Sequence, residues 1–103
     1  MGIASKEKRE LRAIGHSLKP VVIIAQNGLS ENVGNEIERA LKDHELIKIK
    51  LQVPDRETRQ ELVNEICSKF SAECVQTIGR MALLYRKSKK PDPKKSNLKR
   101  NSQ

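Results

Sequence analysis

Two strand patterns separated by one helix pattern constrain this chain most. Val21-Val22-Ile23-Ile24 is a short, wholly apolar, β-branched run between Pro20 and the turn-forming pair Asn27-Gly28. That pattern predicts a strand buried on both faces. Farther along, Ile47, Ile49, Leu51 and Val53 alternate with Lys48, Lys50 and Gln52. The alternation predicts a second strand with one buried face and one basic, exposed face. Between them Ser30 can cap a helix running to about His44, with Glu31 in its first turn. Val33, Ile37, Ala40, Leu41 and His44 fall on one side of that helix. A helix between two strands is a crossover, so the early strands run parallel.

The remaining elements extend this unit. Ser5 can cap a first helix through about Ser17, with Leu11, Ile14 and Leu18 as its apolar stripe. Lys6, Lys8, Arg9 and Arg12 lie on its outer face. Gly15 weakens its end, and Pro20 forbids helix at Lys19. Pro54 breaks the second strand, and Asp55 can cap a third helix to about Phe70 with Leu62, Val63, Ile66 and Phe70 as its stripe. Two short apolar runs follow, 74–78 and 81–85, split by Gly79-Arg80 in the manner of a type II′ hairpin. The order helix–strand–helix–strand–helix–strand–strand gives an α/β layer with parallel early strands and a final antiparallel hairpin.

With 103 residues the chain fits one domain, 1–87, and a tail, 88–103. From Lys87 onward the composition is Lys, Ser, Pro and Asn with Leu98 the only apolar residue, too little to order the segment by itself. No stretch approaches the length of a membrane span, and the N-terminus lacks a signal-peptide core. A soluble, cytoplasmic protein is therefore expected.

The formal charge of +8 is unevenly placed. Residues 86–103 carry +7 and residues 1–19 carry +3, whereas residues 20–85 carry −2. Basic ends on a slightly acidic middle suit either a polyanion partner or a solvated tail.

Catalytic machinery is hard to assemble. His16 reads as a helix-end residue and His44 as a partly buried one. HExxH, GxSxG and Walker patterns are missing from the sequence, and the acidic residues alternate with basic ones along helices. Cys67 and Cys74 fit neither a CxxC redox pair nor a zinc site and read as small apolar residues of the core. The chain is expected to be neither an enzyme nor a cofactor or metal carrier.

Binding has better support. The loop Ala25-Gln26-Asn27-Gly28 leads into a helix N-terminus, where free N–H groups and the helix dipole favour a phosphate. The same spacing also suits an ordinary tight turn. Basic residues gather near it: Lys8, Arg9, Arg12, Lys19, Lys48 and Lys50, with Arg56, Arg80 and Arg86 as weaker candidates. Phe70 and Tyr85 are the only aromatics, too few for a base-stacking platform. Contacts to phosphates and 2′-hydroxyls fit better.

Leu18-Lys19-Pro20-Val21-Val22, Asn27-Gly28-Leu29, Glu36-Ile37, Ala40-Leu41 and His44-Glu45-Leu46-Ile47-Lys48 together resemble the YhbY family. So do Asp55-Arg56-Glu57, Val75-Gln76-Thr77-Ile78-Gly79 and Leu84-Tyr85-Arg86. These are free-standing bacterial forms of the CRM domain, the chloroplast RNA splicing and ribosome maturation domain. The resemblance covers about residues 5–86. It implies three helices on a four-stranded mixed sheet, similar to the C-terminal domain of translation initiation factor three. It also implies binding to ribosomal RNA and association with large-subunit precursors, with no catalysis and no cofactor. The family's GxxG loop would fall on Ala25, Gln26, Asn27 and Gly28, where only the second glycine is present. The reading at this point is a monomeric RNA-binding protein with a basic face, a backbone loop and a tail adding nonspecific attraction. The rival is an adaptor that docks on ribosomal or other acidic partners with incidental RNA contact.

Overall fold

A computed structural model describes residues 5–25, 28–88, 94 and 96. Seven elements follow the order expected from sequence: α1 (Ser5–His16), β1 (Pro20–Ile24), α2 (Glu31–His44), β2 (Leu46–Leu51), α3 (Arg56–Phe70), β3 (Glu73–Ile78) and β4 (Met81–Tyr85). The helix starts follow from local chemistry. The Ser30 hydroxyl accepts the Val33 N–H at 3.2 Å, and the Asp55 carboxylate accepts the Thr58 N–H at 2.9 Å. Among the described residues no helix is long and apolar enough to cross a membrane.

The strands form one sheet in the order β1-β2-β4-β3. β1 runs parallel to β2, with α2 as the crossover, and the other two pairings are antiparallel. Gly79 takes φ 56 at the first central position of the β3–β4 turn, and Arg80 keeps a negative φ, as a type II′ hairpin requires.

The two sheet faces are covered unequally. On one face α2 and α3 bury Ile37, Leu41, Val63 and Ile66 against Val22, Ile24, Ile49, Leu51 and Leu84. On the other, α1 sets Leu11 against Leu46, Val75, Leu83 and Tyr85, with Ile14 and Leu18 at the margin. Gly15 sets the approach of that helix: a Cβ there would lie 2.4 Å from Leu83 Cδ2. It is therefore a packing residue and not merely a weak helix end.

The main contacts of α1 are with β2 and β3, and the cluster buried under it includes no residue of β1. Val21 is consequently 48 % exposed and Ile23 53 %. The expectation that this run is buried on both faces is corrected. A wholly apolar strand pattern fits a central strand under two layers, whereas β1 is an edge strand with one layer over it.

The start of the tail is tied to the domain. Glu45 caps α2 with φ 62 and is almost fully buried. Its carbonyl accepts the Arg86 N–H at 2.9 Å. Its carboxylate accepts the Ser88 N–H at 3.0 Å and the Ser96 hydroxyl at 2.7 Å. Ser96 is wholly buried. A boundary at 87/88 places Ser88 and Ser96 in an unordered tail, whereas both donate to this carboxylate. Apolar content does not register an anchor made of hydrogen bonds to a buried carboxylate.

Candidate nucleic-acid interface

The site begins with the alternation in β2. Ile47, Ile49 and Leu51 point into the two-helix core, leaving Leu46, Lys48 and Lys50 on the other face. α1 roofs Leu46. Lys48 and Lys50 lie beyond the roof, each half-buried. The strand register sets their neighbours. One row across the sheet reads Ile23, Lys50, Met81, Ile78, and the next reads Pro20, Lys48, Leu83, Gln76. Ile78 is 62 % exposed. The lysine stems therefore run among aliphatic side chains while the ammonium groups can reach water. Neither has an ion-pair partner among the described residues.

α1 continues this face. Lys8, Arg12 and His16 recur every four residues and form one row along the helix, with the exposed Arg9 beside it. The row ends where Gly15 and His16 wall a cavity of about 130 Å³ with Lys48, Gln76, Ile78, Met81, Ala82 and Leu83. Lys19, exposed, adjoins Pro20, the register partner of Lys48. The structure thus places Lys8, Arg9, Arg12, Lys19, Lys48 and Lys50 on the α1 side of the sheet.

The loop lies at one end of the sheet. Gly28 takes φ 82, and its N–H donates to the Ala25 carbonyl at 3.0 Å. That N–H is committed to the turn and cannot also grip a phosphate. The glycine serves the left-handed backbone of the turn, and a Cβ there would meet Leu62 of α3 at 3.7 Å. Ala25 is exposed and keeps a negative φ, so the backbone does not need a glycine at that position. Gln26 and Asn27 lie outside the described residues. The same end carries the β3–β4 turn, because the Leu51 N–H donates to the Arg80 carbonyl at 2.7 Å. Arg80 and Arg56 are both exposed there. Arg56 lines a second cavity of about 350 Å³ with Arg59, Gln60, Thr77 and Gly79. Arg59 is already engaged, since its Nη1 donates to the Val53 and Pro54 carbonyls, both at 2.8 Å.

Arg86 does not join these groups. Its guanidinium donates to both Glu38 carboxylate oxygens, at 2.9 and 2.7 Å, and to the Phe70 carbonyl at 3.2 Å. It fastens the end of β4 to α2 and α3. The paired hydrogen bonds hold the Glu38 carboxyl below its usual range and push the Arg86 guanidinium up. Its place among the RNA-contact candidates is accordingly not supported by its geometry. Glu38 and Arg86 are 48 positions apart, so no local pattern marks the pair.

The other candidates for chemistry are absorbed by packing. Tyr85 is buried under α1, which raises its hydroxyl pKa, and Phe70 packs against the larger core. Burial pushes the Cys67 thiol up to about 11 and Cys74 in the same direction, so both remain protonated thiols. Among the described residues no three His, Cys, Asp or Glu side chains are grouped to hold a metal. Sequence reading missed Gln76 and the aliphatic company of the lysines. A polar Gln inside the apolar run 74–78 was the available signal.

Comparison with known proteins agrees with this architecture. A chain from Pseudomonas aeruginosa named "Probable RNA-binding protein" is 49 % identical over 100 residues, covering 97 % of this chain and 96 % of that one. A Haemophilus influenzae protein named "RNA-binding protein" is 48 % identical over 86 residues, covering 84 % and 87 % of the two chains. A hypothetical Staphylococcus aureus protein, put forward as RNA-binding, has a solution structure that superposes with a TM-score of 0.77 at 32 % identity, covering 86 % of this chain and 93 % of that one. The model of the CRS1/YhbY (CRM) domain matches residues 3–86, every element from α1 to β4. The chain belongs to the CRS1/YhbY (CRM) domain family.

Proposed function

We propose that this protein binds RNA on the half of the sheet that α1 leaves open. The observation that carries the reading is the pair Lys48 and Lys50, set among aliphatic side chains that include the exposed Ile23 and Ile78, without an ion-pair partner among the described residues, and continued by the Lys8–Arg12 row. Lysines placed this way can neutralise successive phosphates, while the aliphatic rows suit the ribose and base edges of an unpaired strand. The names of the relatives support the same reading. Arg9 and Lys19 widen the site. Arg56 and Arg80, with the loop residues Gln26 and Asn27, would extend it at the loop end, Gly28 serving the turn.

The finer reading is ribosomal RNA in a precursor of the large subunit, bound by a cytoplasmic monomer without catalysis or cofactor. It rests on the family resemblance in sequence. Crosslinking in growing cells followed by sequencing of the bound RNA tests it. Reads should concentrate on large-subunit RNA and its precursors. Reads spread over messenger RNA without that enrichment would overturn the ribosomal assignment. The exposed Val21, Ile23 and Ile78 also suit an adaptor that holds a protein partner. Such a partner would stay bound in a lysate treated with ribonuclease, whereas an RNA-bridged one would be lost.

A further inference from the structure

The cavity at the foot of α1 has a shape and chemistry that backbone binding alone does not use. Its volume of about 130 Å³ is well below the ~300 Å³ at which small-molecule sites begin. It suits a single ring delivered by a chain held elsewhere. Ile78, Met81 and Leu83 provide apolar surface. Gln76, His16 and Lys48 add hydrogen-bonding groups to its lining. An amide offers both a donor and an acceptor, an imidazole either, and an ammonium three donors. A small cavity lined by both aliphatic surface and mixed donors and acceptors matches a nucleobase, which has an apolar face and a polar edge. A plain hydrocarbon would leave those polar groups unanswered.

The surroundings decide how a base would arrive. Lys48 belongs to the cavity and to the lysine pair, and Lys50 lies one row farther along the same face. His16 belongs to the cavity and to the Lys8–Arg12 row. The cavity therefore sits where two lines of positive charge meet. A strand whose phosphates follow those lines passes over the opening. A base still paired in a duplex presents neither its face nor its pairing edge, so an unpaired base is required.

We propose that this cavity receives one unpaired nucleobase of the bound RNA, with its edge hydrogen-bonded by Gln76 and His16 and its face against Ile78, Met81 and Leu83. This rests on the RNA reading above and adds a base contact to it.

The test uses the full chain and three single-stranded oligoribonucleotides of equal length: fully based, with a single base in an otherwise abasic chain, and fully abasic. Binding is measured at one fixed salt concentration. The single-base chain should bind about tenfold tighter than the abasic chain, within the usual range for one seated base. In Gln76→Ala, and separately in Gln76→Leu, which fills the space without the amide, the ratio should fall to about one. Circular dichroism confirms that each variant is folded. Equal binding of the single-base and abasic chains by the unaltered protein overturns the base site while leaving backbone binding intact. A ratio that survives both Gln76 variants also overturns it. Failure of the fully based chain to bind at all would overturn the RNA reading itself, a distinct outcome.

Discussion

The two faces of the sheet are built from the same strands and end in opposite states. The face under α2 and α3 is closed: Ile37, Leu41, Ile49 and Ile66 have no exposure at all. The face under α1 is closed only at Leu46, Val75, Leu83 and Tyr85 and open at Ile23, Lys50 and Ile78. The difference lies in how many helices share a face. Two helices of 14 and 15 residues cover one side of a four-stranded sheet. A single helix of 12 residues crossing the other side does not. Stability is thus concentrated on one face, and the other retains surface for a ligand.

This contrast can be broken by substitutions, largest effect first. Ile66→Ala on the closed face should cost about 2–5 kcal/mol in denaturant unfolding. RNA affinity at a temperature where the variant stays folded should be unchanged. On the α1 face, Gly15→Ala adds a methyl against Leu83. Alanine gains up to about 1 kcal/mol in helix propensity over glycine, and overpacking costs roughly 1–3 kcal/mol. A net loss of stability is expected, and a net gain would show that Leu83 yields freely. Ser96→Ala removes one donor from the buried Glu45 carboxylate and should cost about 1–2 kcal/mol in the same measurement. A variant as stable as the unaltered protein would show that the tail is not anchored there.

The smallest effect concerns pH. Arg86 lowers the carboxyl pKa of Glu38 in the folded state, from a reference of 4.5. A depressed folded pKa stabilises above the unfolded value and loses that contribution as pH falls through the folded one. Half of the Glu38 side chain is exposed, so the pair should contribute only roughly 0.2–1 kcal/mol. The stability gap between the unaltered protein and Glu38→Gln should shrink as pH is lowered from 7 to 3. A gap that widens on acidification would contradict the sign.

Much of the fold was legible because it is written locally. Ser30 and Asp55 mark helix starts through their own hydrogen bonds, and the Ile47–Leu51 alternation separates core from lysine face within one strand. The full burial expected for Val21 and Ile23 failed because it depends on how far α1 reaches, a property of another element. Arg86 was read as a ligand cation because its partner Glu38 is remote in sequence. The cavity was invisible for the same reason: His16, Lys48 and Gln76 come from a helix and two different strands. Asn27-Gly28 marks a turn in the sequence and the turn is there, with φ 82 at Gly28; the phosphate contact expected of the Gly28 N–H is not, because that N–H closes the turn on the Ala25 carbonyl.

The salt dependence of RNA binding by Lys48→Ala/Lys50→Ala tests the open-face site most directly. For a single-stranded oligonucleotide each neutralised phosphate contributes about −0.7 to the slope of log K against log salt. We expect the double variant to show a slope shallower by about 1.4 and weaker binding at low salt, with the fold retained by circular dichroism. An unaltered slope and affinity in a folded double variant would remove the open face as the RNA site.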